Sequence, residues 1–213
     1  MTTNFRKIPA IIALLLSLGF VSTQAEATIV VPLTLEQMQT RSNVVVRAVV
    51  LDSVSEWDRS EKHIFTFTRL KVLETFKGTN SVGEIIRIRT LGGEVGEVGM
   101  AVAGTAKFQP SEEVVIFGRT DRYDAANFQV VGMSQGKFSI KKNDKGESMV
   151  IPDLTGLAFA STKEGRVTSI EDKHSTLTQS ILLSELRARL TKVQTKTPTA
   201  QPSTAPQPKD ADQ

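Results

Sequence analysis

The sequence predicts a mainly β protein, a closed or nearly closed antiparallel β structure with a short helix before it and a second helix after it. Three observations carry this expectation. Six or seven short runs of β-branched and aromatic residues, separated by turn-forming residues, fill most of the segment between residues 28 and 193. Capping-box patterns stand near its two ends, at Thr34–Gln37 and Thr176–Gln179. Cysteine is absent, so the fold must hold by its apolar core alone.

Taken in order, Thr34 can cap the Gln37 amide while Gln37 reaches back and Leu33 packs on Met38. This predicts a short helix ending near Arg41–Asn43. The valine-rich run from Asn43 to Val54 reads as a strand covered on both faces for part of its length. In HIFTFTRLKVLETFKG the apolar phase slips between Phe65/Phe67 and Leu70/Val72, which predicts a β-bulge near Thr68 or Arg69. EIIRIRT alternates Ile86 and Ile88 with Arg87 and Arg89, and EEVVIFG and NFQVVGM continue the series. GKFSIKK and ESMVI form a predicted hairpin across Asn143–Gly146. The last helix carries a stripe of Leu182, Leu186, Leu190 and Val193, with Leu183 beside it, expected to lie in the core.

Residues 1–27 read as a secretory signal peptide: Arg6 and Lys7, an apolar stretch of about a dozen residues, then Ala25-Glu26-Ala27. The stretch falls short of the ~20 residues of a membrane span, so no retained anchor is expected. Cleavage after Ala27 would start the mature chain at Thr28, with Glu26 as the rival start. Localisation is then secreted or periplasmic. Residues 194–213, rich in Pro, Thr, Gln and charge, are expected to be a disordered tail beyond one domain at 28–193. Without Arg6, Lys7 and Glu26, the 26 basic and 23 acidic residues become 24 and 22, and nothing in that balance calls for nucleic acid.

The glycine-rich stretch LGGEVGEVGMAVAG, residues 91–104, lacks the lysine–hydroxyl pair and following helix of a phosphate loop, and Glu94 and Glu97 would repel phosphate. His63 and His174 stand apart, at no metal-ligand spacing. Glu74, Glu112 and Glu113 read as solvated-face charges. No nucleophile or acid–base constellation is apparent, so the expectation is a protein without enzymatic activity, cofactor or intrinsic metal.

Leu35 to Val50, with its short helix followed by SNVVVRAVV, resembles the amino-terminal domain of the tissue inhibitors of metalloproteinases, an OB-fold of the netrin-like class. FTRLKVLETFKG is similar to that family's second strand and EEVVIFG to its fourth. The run from GG-x-G to VVGM-x-QGKF is also similar to stretches of uncharacterised secreted bacterial proteins. The resemblance implies an OB-like barrel over roughly residues 28–140 that binds a secreted zinc metalloprotease. In that family an N-terminal cysteine gives its α-amine and carbonyl to the protease's zinc, and the connector after the third strand helps form the inserted edge. The matching positions here are Thr28 and Ile29, with Glu94, Val95, Gly96, Glu97 and Val98 in the connector. Thr28 stands where the family has cysteine, and no disulfide can fix it. The rival readings are a plain loop at 91–104 and a structural or envelope-associated module, with a hydrolase third.

Overall fold

The computed structural model describes residues 27–163, 166–169 and 179–196. The expected signal segment, apart from Ala27, lies outside the described residues, as do Thr176, His174 and the tail beyond Lys196. The chain is mainly β. Its elements are β1 (Thr28–Val30), α1 (Leu35–Arg41), β2 (Val44–Trp57), β3 (Ile64–Lys77), β4 (Ile85–Leu91), β5 (Gly93–Val95), β6 (Val98–Met100), β7 (Glu113–Thr120), β8 (Asn127–Val130), β9 (Lys137–Lys142), β10 (Ser148–Pro152), β11 (Leu157–Lys163), β12 (Arg166–Ser169), β13 (Ile181–Leu182) and α2 (Leu183–Lys196). A 3-10 turn, Met133–Gly136, joins β8 to β9.

Five strands close a ring: β2 pairs with β3 and β7, β3 with β4, β4 with β8, and β8 with β7. The expected wholly antiparallel pairing is corrected here, because Arg87–Ile88 of β4 runs parallel to Asn127–Phe128 of β8. A ring with an odd number of strands cannot alternate direction throughout, so one parallel pair is required. The predicted hairpin β9–β10 is present, paired with β7 outside the ring.

Two cores share one wall. Val44, Val46 and Ala48 of β2 and Val114 and Ile116 of β7 fill the ring with Leu70, Val72, Ile86 and Ile88. The alternate residues Val45, Val115 and Phe117 face outward, onto Met38 of α1 and Leu183, Leu186 and Leu190 of α2. Period-two alternation thus explains the consecutive valines: successive side chains enter different cores.

The capping box at α1 is present, with Gln37 N donating to Thr34 Oγ1 at 3.2 Å and Thr34 N to Gln37 Oε1 at 2.9 Å. The second box is not the start of α2. That helix begins at Leu183, because Ile181 and Leu182 are taken up as a strand against Val150 and Met149. It also runs to Lys196, past the expected domain end at 193. No bulge lies at Thr68 or Arg69. Ile64, Thr68, Leu70 and Val72 alternate inward without interruption. Phe65 and Phe67 point to the other face, where Arg89 and Arg87 cover their rings. The register shift nearby falls on β2, where Val50 pairs with Leu70 and Asp52 with Arg69, leaving Leu51 as the extra residue.

The acidic residues expected to be solvated are instead tied into ion pairs, another correction. Arg187 of α2 donates from Nε and Nη2 to Glu74 at 2.7 Å each, and Arg47 Nε donates to Glu113 at 2.5 Å. Lys137, only 3 % exposed, donates to Glu112 at 2.8 Å, and Ser139 Oγ donates to the same oxygen at 2.5 Å. A buried ammonium requires such a partner, which explains why Glu112 is drawn inward. Burial would raise the Glu112 carboxyl, but the hydrogen bonds from Lys137 and Ser139 outweigh it and hold the group below its ordinary value of 4.5.

Leu186→Ala is expected to lower unfolding free energy by about 2–5 kcal/mol, since the side chain is enclosed by the second core; denaturant titration measures it. A change under about 0.5 kcal/mol would place α2 outside the core. The Glu112 contribution is fully present above the ordinary glutamate value and is lost as pH falls through the lower folded-state value. Glu112→Gln is therefore expected to be less stable at neutral pH, and its stability should decline less steeply than the parent's on acidification below about pH 4.5. Parallel acid limbs in thermal melts would remove Glu112 as a source of the pH dependence.

Candidate functional site

The segment after the expected cleavage point is an edge strand. β1 runs parallel to β11 and, among the described residues, has no strand on its other side. Thr28 N–H donates to Gly156 O at 2.9 Å, and Thr28 Oγ1 donates to Ala103 O at 2.6 Å. Further on, the buried Gln135 amide grips the link to α1: its Oε1 accepts from Leu33 N at 2.9 Å and its Nε2 donates to Val31 O at 3.3 Å. The chain is held at Thr28 and again at Val31–Leu33, while Ile29 and Val31 present their side chains to solvent, 68 % and 62 % exposed.

The glycine-rich stretch is a two-stranded hairpin, β5–β6, followed by an irregular segment. Gly96 turns the hairpin at φ +61°. Gly93, at φ +139°, lies so close to the β2–β3 ribbon that a Cβ would collide with the Ser55 and Thr66 hydroxyls. Its glycine supplies both the unusual dihedral and the close approach, which is a packing role. Glu94, Gly96 and Glu97 are exposed and Val95 is half-buried, while Val98 is 50 % exposed. The structure therefore brings Thr28 against the same connector, but at Ala103 rather than at the Glu94–Val98 tip.

Residues 101–106 separate two clefts. One, of about 800 Å³, is lined by hydroxyls of Ser53, Thr66 and Thr68 from the β2–β3 ribbon. The other, of about 1140 Å³, lies between the 58–63 turn, the β4 end and Tyr123. Arg89 lies over the Phe65 ring at 4.4 Å and the Tyr123 ring at 5.5 Å, and its Nε is 2.8 Å from Asp121 Oδ2. The 58–63 turn is fixed by Asp58, whose carboxylate accepts from Lys62 N, Ser60 Oγ and His63. Burial opposes ionisation there, yet these bonds hold the carboxyl far below its ordinary range. Sequence reasoning missed this groove. Its only trace in the sequence is the alternation of Arg87 and Arg89 with Ile86 and Ile88, and of Phe65 and Phe67 on the strand before. Among the described residues, no three His, Asp or Glu side chains gather at metal-binding distance.

In comparisons with known proteins, the chain matches no family model, no curated protein and no solved structure.

Gly93→Ala is expected to destabilise by about 1–3 kcal/mol, because the positive φ and the collision act together. Gly99→Ala, where a Cβ meets only Glu94 Cγ at an ordinary 3.7 Å, should stay within about 0.5 kcal/mol of the parent. Equal effects in chemical denaturation would mean that the hairpin does not pack on the ribbon.

Proposed function

We propose that the chain is an exported, non-enzymatic, OB-like β-barrel that binds a protein partner along β1, with the β5–β6 hairpin as a second contact. The observation that carries this reading is the anchored but uncovered β1 strand. Its backbone is fixed by Thr28 and Gln135, while Ile29 and Val31 remain exposed beside a strand edge that is unpaired among the described residues. An apolar strand edge that is already ordered loses little entropy on adding a partner strand. The five-strand ring with one parallel closure supports the OB-like description.

A secreted zinc metalloprotease is the partner that the resemblance suggests. In that version Thr28, Ile29 and the Glu94–Val98 tip enter the cleft, and the Thr28 amine ligates the partner's zinc. Such ligation needs the Thr28 nitrogen to leave Gly156 O, where it donates in this structure. That bond favours the second reading, a structural or envelope-associated module whose terminus is fixed rather than ligating.

Protein beginning at Thr28, the same protein extended by one residue, and Ile29→Asp are to be compared as inhibitors of purified secreted zinc endopeptidases. Inhibition lost on both changes is expected for an amine-ligating edge. Inhibition lost only in Ile29→Asp supports strand addition without zinc contact. Absence of inhibition by the native form overturns the protease-inhibitor version and leaves the structural module ahead.

A further inference from the structure

The arginine-lined groove includes no residue of β1. Its apolar lining comes from Leu91, Val102, Ala106, Val130 and Met133, and its basic lining from Arg41, Arg59, Arg89 and Arg119. The charge there is not balanced. Arg89 is paired with Asp121, and Asp58 spends its carboxylate on its own turn and on His63. Arg41 and Arg59 have no carboxylate partner among the described residues, and Arg119 donates only to the neutral Gln129 amide at 3.3 Å. Among the described residues, three guanidinium groups thus stand along this cleft, and its one lining carboxylate, Asp58, is engaged within its own turn.

Their neighbour is positioned in advance. Arg89 is sandwiched between Phe65 and Tyr123, and Arg122 lies over the same Tyr123 ring at 4.9 Å. Stacking of this kind limits the rotamers of a guanidinium, and with its Nε at Asp121 Oδ2, Arg89 is a fixed part of the groove wall. A guanidinium also lies over each of the Phe65 and Phe67 rings, occupying a face that a nucleobase would need. An apolar lining with uncompensated arginines is complementary to a molecule that has both an apolar body and an anionic head.

We propose that this groove binds a soluble amphipathic anion, an acyl-type apolar chain ending in a carboxylate or phosphate, with the head at Arg59 and Arg119 and the chain along Leu91, Val102 and Val130. Both heads offer paired oxygens to a guanidinium fork. The groove, of about 1140 Å³, is open to solvent, so the ligand lies in a trough rather than a closed cavity.

The test uses the processed protein and titration calorimetry with laurate and dodecyl phosphate below their micellar concentrations. Dodecyltrimethylammonium and dodecanol serve as cationic and neutral counterparts. Saturable binding of at least one anion, with at least tenfold weaker binding of both counterparts, is expected. Preference between laurate and dodecyl phosphate distinguishes a fatty-acid from a phospholipid-like source. Arg59→Ser combined with Arg119→Ser should weaken the anion at least tenfold while leaving the thermal midpoint nearly unchanged, since neither side chain belongs to a core. Leu91→Ser is an independent probe of the chain's path and should weaken both anions. Equal binding of the cationic or neutral chain, unchanged binding in the arginine variant, or binding only to anionic vesicles would overturn the proposal. Tighter binding of polyglutamate than of either acyl anion would also overturn it, giving the groove to an acidic polypeptide.

Discussion

The structure depends on one constraint: β2 and β7 pair with each other and are buried on both faces. Val44, Val46, Val114 and Ile116 belong to the ring interior, and Val45, Val115 and Phe117 to the layer beneath the helices. Neither strand can slip by one residue without exchanging the contents of two cores, so their register is strongly specified. Everything else is hung from this pair. β3, β4 and β8 close the ring around its one face, while α1, α2 and the β9–β10 hairpin cover the other.

Polar groups then secure the layers against each other. The Gln39 side chain of α1 donates to Leu190 O of α2 at 3.1 Å, and Arg187 of α2 reaches Glu74 of β3. On the opposite side Lys137, Glu112 and Ser139 join β9 to the entrance of β7. These contacts are directional where the apolar contacts are not. They fix how the helices sit on the sheet, although a charge pair removed from water adds less net stability than its short distances suggest.

What was legible in the sequence follows from how local each signal is. The α1 capping box and the β9–β10 turn use residues within five positions of one another, and both are found where the sequence placed them. The closing β4–β8 pair links residues some forty apart, and its parallel sense follows only from counting strands in a closed ring. The start of α2 was misplaced because Ile181 and Leu182 suit a helix locally but are captured by the edge of β10. β11 and β12, rich in small and polar residues, gave no alternation to read. The apparent phase slip in β3 was a second apolar face, made tolerable in water by arginines from the neighbouring strand. Cross-strand stacking of this kind has no signature within one strand.

The same distinction governs the functional surfaces. Thr28 and the glycine-rich stretch were brought together only by the family resemblance, since the contact joining them, Thr28 Oγ1 to Ala103 O, spans 75 residues. That contact sets β1 against residues 101–106, the segment whose Val102, Thr105 and Ala106 also line the arginine groove. Gly104 is packed so tightly on Leu157 that a Cβ would collide with it, so only glycine lets the segment lie this close to β11. A single short connector is therefore a wall of the groove on one side and the support of β1 on the other. Glycine and alanine predominate in it because the backbone itself, rather than large side chains, forms both contacts.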